Sequence, residues 1–290
     1  MEFEFALPIL DTWGPWVIAG FLLLFYLLEL IWPLRATAHD RIKRYYKNIG
    51  LALVGLPLAR LLLLPLSYFF AGWCAAHDIG LLHFFHAPFW LDALLSVLIL
   101  DYGIYIWHRL MHLWPFLWRF HNVHHIDPDM DISTGIRFHF GEMLLSIPMR
   151  LLVIGLGGVS PWVVLFYEVV FETATLFHHS NLKIRKGLER MLAYFIITPK
   201  QHGIHHSKVQ NESNSNYGTV FNFWDRLHRS LRLNIPQSKV EIGVPGYEAQ
   251  ADHRFGRYLI LPFQKQRPWR RRNGQIPQRD RKDLGGYLED

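Results

Sequence analysis

A chain of 290 residues that is 51% hydrophobic and 15% aromatic is too apolar for an ordinary soluble domain and suits a bilayer. Its one cysteine, Cys74, excludes a disulfide framework and any thiolate metal cluster within the chain, so a metal would have to be bound by nitrogen or oxygen. The net charge of +6 collects in residues 35–47 and 265–282 beside apolar spans, where it signals cytoplasmic loops; no nucleic-acid-binding module accompanies it, so no nucleic-acid partner is expected.

The first ten residues carry Glu2 and Glu4 where a signal peptide would be basic, so no cleavable signal is expected. Three apolar stretches follow, residues 16–34, 50–75 and 89–107, each near the ~20 residues that a transmembrane helix needs. A fourth, residues 143–177, is broken by Gly155, Gly157, Gly158, Ser160 and Pro161 and reads as a helical hairpin with two short arms. Arg150 and Glu168 stand nine positions either side of Val159 and are expected to pair across that hairpin, because an isolated charge in hydrocarbon is costly. Arg35, Arg41, Lys43, Arg44 and Lys47 place the first loop in the cytoplasm and the acidic N-terminus outside. Counting crossings then puts His83 and His86 outside, and everything from Ser180 onward inside. The fold expected is an all-α, multi-pass membrane bundle of three transmembrane helices and a hairpin, with a cytoplasmic helical cap. Its divisions are 1–94 (N-terminal helices), 95–230 (core) and 231–290, whose last 25 or so residues read as a poorly ordered tail.

Eight of 17 histidines fall in three groups: His108 and His112; His121, His124 and His125; His202, His205 and His206. Residues i and i+4 share a helix face, so each group aims imidazoles at one point, whereas adjacent histidines diverge enough to serve two different metals. Eight imidazoles exceed the coordination of one first-row ion, which argues for two ions. A ninth ligand is expected from the end of the hairpin. His179 is the better candidate there, since Glu168, Glu172 and His179 form one stripe; His178 and His139 are the weaker ones. On the third helix Asp101, Tyr105, His108 and His112 share a face, and a hydrogen bond within that stripe is expected to support the ligands. Asp101, Tyr105 and Glu172 are the candidate catalytic side chains.

In this order the residues resemble the fatty acid hydroxylase and sterol desaturase superfamily: DYGIYIWHRLMH from Asp101, WRFHNVHH from Trp118, RFHFGE from Arg137, HSNL from His179, TPKQHGIHHS from Thr198 and NYGTVFNFWDRL from Asn216. The similarity covers roughly residues 95–230. It implies that the histidines of the three boxes and His179 bind two iron ions that activate oxygen for hydroxylation or desaturation of a lipid. Two positions depart from the family pattern: His228, Arg229 and Ser230 replace its Phe-Gly-Thr, and Phe140 and Gly141 precede Glu142 where Pro-Leu is usual.

Imidazole alone suits iron, copper, nickel and zinc, and zinc could substitute in a preparation. Redox-inert zinc would have little to do at an alkyl chain, and no Gly-x-Ser-x-Gly nucleophile is present. Neither a Gly-x-Gly-x-x-Gly loop nor a haem domain is recognisable. Electrons are therefore expected from a separate carrier of the ferredoxin or cytochrome type. The alternatives are a histidine-rich metal transporter, which would hold ligands near the bilayer midplane, and a non-catalytic metal-binding membrane protein.

Overall fold

The computed structural model describes residues 9–285 except residue 86, with side chains from residue 13. Glu2, Glu4, His86 and the last five tail positions lie outside the described residues. Helix α1 (Ile9–Ile31) is followed by α2 (Arg41–Leu58), which starts where the Asp40 side chain accepts the Lys43 backbone N–H. Between α2 and α3 (Leu64–Ala76) lies a π-helical turn, Ala59–Leu63, flanked by Pro57 and Pro65, which have no N–H to give to a regular ladder. Helix α4 (Phe89–Leu113) stops at Trp114 because the next residue, Pro115, disfavours helical backbone before it and opens α5 (Pro115–His125).

The broken apolar stretch is a helical hairpin of α6 (Phe140–Gly157) and α7 (Pro161–His179). Its turn is set by Gly158, at φ 69° and ψ 39°, and by Pro161 in the first turn of α7. Arg150 and Glu168 pair across it, with Nη1 2.5 Å from Oε2. After the hairpin come α8 (Lys186–Leu192), α9 (Pro199–His205), α10 (Gln210–Ser213), α11 (Phe223–Leu227) and α12 (Phe255–Ile260). Among the described residues β pairing is confined to isolated bridges, Pro33 with Leu182, Ile196 with Phe221 and Ser207 with Ile242.

Among the described residues four helical stretches are long and apolar enough to span a bilayer: Trp13–Ile31, Arg41–Phe84, Phe89–Leu113 and Phe140–Gly157. Helices satisfy their own backbone hydrogen bonds, which is what a lipid interior demands. Large apolar side chains such as Trp16, Leu61 and Phe89 point outward, as expected where lipid rather than water is the neighbour. Inside, Leu64, Ala71, Leu100, Ile154, Val163 and Val164 form one buried cluster joining α3, α4, α6 and α7. A second cluster, Leu51, Val123, Ile126, Val244, Tyr247, Tyr258 and Leu261, ties the end of α5 to the C-terminal segment.

Two expectations change. Arg44, counted above among the basic residues of the first loop, is buried in α2: its Nε and Nη2 donate to Asp127 and its Nη1 to Asp131. The described part of the tail, up to residue 285, is tied down, because its cations find acidic partners. Arg267 pairs with Asp252, Arg271 with Glu241, and Arg279 with the fully buried Glu212.

Candidate metal centre

Nine histidines converge at the C-terminal ends of α4 and α7 and on α5 and α9, in two groups. His108, His112, His121, His125 and His205 form the first; His124, His179, His202 and His206 form the second. In each group the candidate ligand atoms lie within 4.8 Å of one another. Helical spacing does the sorting. His108 and His112, His121 and His125, and His202 and His206 are i, i+4 pairs that stay together, while the neighbours His124 and His125, and His205 and His206, diverge into different groups.

Backbone carbonyls fix the tautomers. His108 Nδ1 lies 2.7 Å from Tyr217 O, His205 Nδ1 2.7 Å from Ser215 O, His179 Nδ1 2.7 Å from Thr175 O and His124 Nδ1 3.2 Å from Arg137 O. A carbonyl can only accept, so each Nδ1 carries the proton and each Nε2 presents a lone pair. His124 Nε2 and His179 Nε2 nevertheless face each other at 3.0 Å. Two lone pairs at that distance repel unless they share a positive charge, a proton or a metal ion. The other close pairs, His179 with His202 at 2.9 Å, His202 with His206 at 3.2 Å and His121 with His125 at 3.2 Å, have the same spacing. Nitrogens bonded to one metal at about 2.0–2.1 Å sit roughly 3.0–3.4 Å apart. The donor set therefore fits a first-row metal ion in each group. Burial, followed by neighbouring histidines, holds His125, His202 and His206 well below the ordinary imidazole range, so they are neutral and ready to ligate.

His178 and His139 are outside both groups. His178 Nδ1 donates to Thr219 O at 3.1 Å and its ring packs 4.1 Å from His202. His139 caps α6: its Nδ1 accepts the Gly141 N–H at 2.9 Å, so its Nε2 bears the proton and donates to Leu259 O at 3.2 Å. With both nitrogens committed to backbone it has no lone pair for a metal.

The hydrogen bond expected within the Asp101 stripe is not made. Asp101 accepts from Tyr167 Oη at 2.7 Å and from Trp224 Nε1 at 2.8 Å, and Tyr105 Oη pairs with Ser230 Oγ at 2.9 Å. Both side chains anchor the segment after α10 to α4, which holds the Tyr217 carbonyl against His108; they reach no candidate ligand directly. The carboxylate that does reach one is Glu142, with Oε1 3.1 Å from His121 Nδ1. Its place in the first turn of α6 is readable in the sequence, but nothing local points it at His121.

Around the loop that follows His125, Asp127 takes hydrogen bonds from Arg44, Asn48 and Thr134, and Arg137 reaches both Asn48 Oδ1 and Val123 O. Burial would raise the Asp127 carboxyl, but the Arg44 and Arg137 guanidiniums outweigh it and hold it below the usual carboxylate range. The loop, and with it the direction of α5, is thus clamped to α2.

A cavity of about 790 Å³, counting its open mouth, runs from the histidines along α4, α6 and α7 into the membrane region. His108, His121, His124, His179 and His202 form its inner end, drawing on both groups. Ile104, Trp107, Met111, Phe138, Met143 and Phe171 give it apolar walls, and Ala59 and Leu63 of the π turn close one side. Glu172 lines it farther from the histidines.

Comparison with known proteins gives the same direction. Residues 93–230 match the family model described as fatty acid hydroxylase. An ornithine lipid hydroxylase of Rhizobium tropici is 34% identical over 189 residues, 62% of this chain and 55% of that protein. An alkylglycerol monooxygenase of Danio rerio is 28% identical over 64% of this chain and 41% of its own length, and a cholesterol 25-hydroxylase of Rattus norvegicus 27% identical over 50% and 48%. The matches thus span about half the length of these relatives. No solved structure matches.

Proposed function

Because residues 93–230 belong to the fatty acid hydroxylase family, we propose that this multi-pass membrane protein is an oxidoreductase that hydroxylates a lipid, holding one iron ion in each of its two histidine groups. The observation that carries this reading is the cavity, which opens apolar walls of α4, α6 and α7 onto both groups at once. Its apolar lining suits an alkyl chain, and its walls on α4 and α6, two helices long and apolar enough to span a bilayer, would let a substrate enter from lipid. The iron pair, when bound, supplies oxygen activation, a chemistry amino-acid side chains lack.

The chain's own residues do the rest. Nine imidazoles would hold the two ions, with carbonyls of Tyr217, Ser215, Thr175 and Arg137 fixing four of the rings and Glu142 fixing His121. Trp107, Met111, Phe138 and Phe171 exclude water and confine the chain to be oxidised. The three relatives named above are hydroxylases or monooxygenases of lipids, which favours hydroxylation over desaturation. Electrons come from a separate ferredoxin or cytochrome-type carrier at the cap, and the cap with its histidines faces the cytoplasm. The test is purified, iron-loaded protein in lipid nanodiscs, given a chemical reductant, a lipid extract and heavy-isotope dioxygen. A new hydroxyl group carrying the heavy oxygen supports the reading; fully loaded protein that labels no lipid of the extract from its own host overturns it.

A further inference from the structure

The cap carries an apolar outer face. Leu188, Met191, Tyr194, Phe195 and Leu227 are each between 48% and 66% exposed. The two segments that bear most of them are tied together: Ile196 bridges Phe221, the Asn222 N–H donates to Phe195 O at 3.1 Å, and Arg226 Nη2 donates to Ala193 O at 2.9 Å with its guanidinium over the Tyr194 ring. A contiguous exposed apolar surface marks contact with a partner or with a membrane, and the depth of this one decides between them. The Phe221 N–H and Trp224 Nε1 both reach Asp101 Oδ2, at 3.4 and 2.8 Å. Asp101 is the middle residue of the 25 in α4, about 18 Å from either end at 1.5 Å per residue. A hydrocarbon layer about 30 Å thick takes up all but about 6 Å of a helix that long, so wherever the layer falls along α4 it covers Asp101 to a depth of roughly 12 Å or more. The segment bonded there lies within the thickness of the bilayer, beside α4 and not above it.

We infer that residues 188–195 and 221–227 are sunk into the leaflet on the cap side, so that lipid holds the cap as well as the spanning helices do. Irregular backbone survives at membrane depth only where protein satisfies it, and here it is satisfied. Asn222 Nδ2 donates to Ala193 O and Ile196 O, the Ile197 N–H to Val220 O, and the Tyr217 and Gly218 N–H groups to the Asp225 carboxylate. Polar atoms thus turn inward and apolar side chains outward, the reverse of a loop that faces water. Arg185, Lys186 and Arg190, exposed on and just before α8, mark the headgroup level, where cations meet anionic lipid. The first segment runs on into Thr198, which caps α9, so the leaflet fixes the height of His202, His205 and His206 against the bilayer. Neither the geometry nor its consequence depends on a bound metal or on the reaction catalysed.

The test places a nitroxide at Phe195→Cys or Leu227→Cys in a Cys74→Ser background, in nanodiscs of three parts phosphatidylcholine to one part phosphatidylglycerol. Oxygen concentrates in hydrocarbon and a nickel chelate stays in water, so their collision rates with the label report which of the two surrounds it. Leu61→Cys, exposed on the π turn within an apolar span, is the lipid standard, and Asn211→Cys, exposed on α10, is the water standard. Both cap labels should match Leu61, with an oxygen-to-nickel ratio at least fivefold above that at Asn211. A ratio equal to the Asn211 value at either position overturns the proposal. So does shielding from both reagents with spin–spin broadening that unlabelled protein dilutes away, which would mean that a second copy covers the face. Independently of any variant, the parent protein in the same discs is photolabelled by phosphatidylcholine carrying a mid-chain diazirine, and the adducts are mapped by mass spectrometry. Adducts on peptides from residues 188–195 and 221–227 are expected; adducts confined to residues 13–177 overturn the proposal.

Discussion

Within the hairpin, Arg150 and Glu168 offer a perturbation whose outcome the geometry fixes in sign. Their side chains are 10% and 7% exposed, with Nη1 and Oε2 2.5 Å apart. At an effective dielectric constant of about 20 the attraction at that separation is roughly 6–7 kcal/mol. Desolvating two ions costs several kcal/mol each and offsets most of it, so the pair is close to neutral in net stability, whereas either charge alone is an uncompensated buried ion. Arg150→Met or Glu168→Gln alone should therefore cost about 3–5 kcal/mol, and the double variant should sit near the parent, a coupling of about 4 kcal/mol or more. At roughly 2–3 °C per kcal/mol for a chain of this size, the single variants should melt some 6–15 °C lower and the double within about 4 °C of the parent. The assay is thermal unfolding in detergent, with metal content measured alongside, because the pair sets the register of α7 and thus the height of His179. Melting losses that simply add in the double variant would refute the reasoning.

The metal-bound protein should contain about two ions per chain, and His112→Ala or His202→Ala should lower that number toward one by elemental analysis; full content in both variants would dismantle the grouping. Arg44→Met should cost about 3–5 kcal/mol by stranding Asp127, checked by thermal unfolding and protease susceptibility. Because Asp127 titrates lower folded than unfolded, its contribution is complete above about pH 4 and is lost as the pH falls below that; Asp127→Asn should remove this acid-sensitive part of the melting curve, and an unchanged acid profile would count against the clamp. In a Cys74→Ser background, the exposed positions His77→Cys and Asn211→Cys should react with an impermeant thiol reagent on opposite sides of the membrane, His77 from outside; the reverse pattern would invert the topology.

What the sequence made legible is what depends on short-range periodicity. The nine histidines could be picked because i, i+4 spacing shares a helix face and adjacency does not, and the hairpin because Gly158 and Pro161 mark one helix end and the next helix start. Arg150 and Glu168 could be paired because an antiparallel hairpin is itself a local rule. The failures are all long-range. Asp101 looked toward its own helix for a partner, but Tyr167 and Trp224 arrive from 66 and 123 positions away. Arg44 read only as one of the first loop's basic residues because Asp127 and Asp131 lie more than eighty residues on. His139 resembled a ligand until the backbone of α6 and of Leu259 took both its nitrogens. Glu142 was passed over because nothing in its own neighbourhood shows that His121 will stand beside it.

The order of the ligands along the chain sets a timetable for biosynthesis. The first group is incomplete until His205 has been made and the second until His206, although His108 and His124 emerge nearly a hundred residues earlier. Neither group could fully enclose an ion while the hairpin is still being made. Metal delivery would thus be a late event, following synthesis of α7 and folding of α9, and a chain that ends at residue 200 would carry open half-sites.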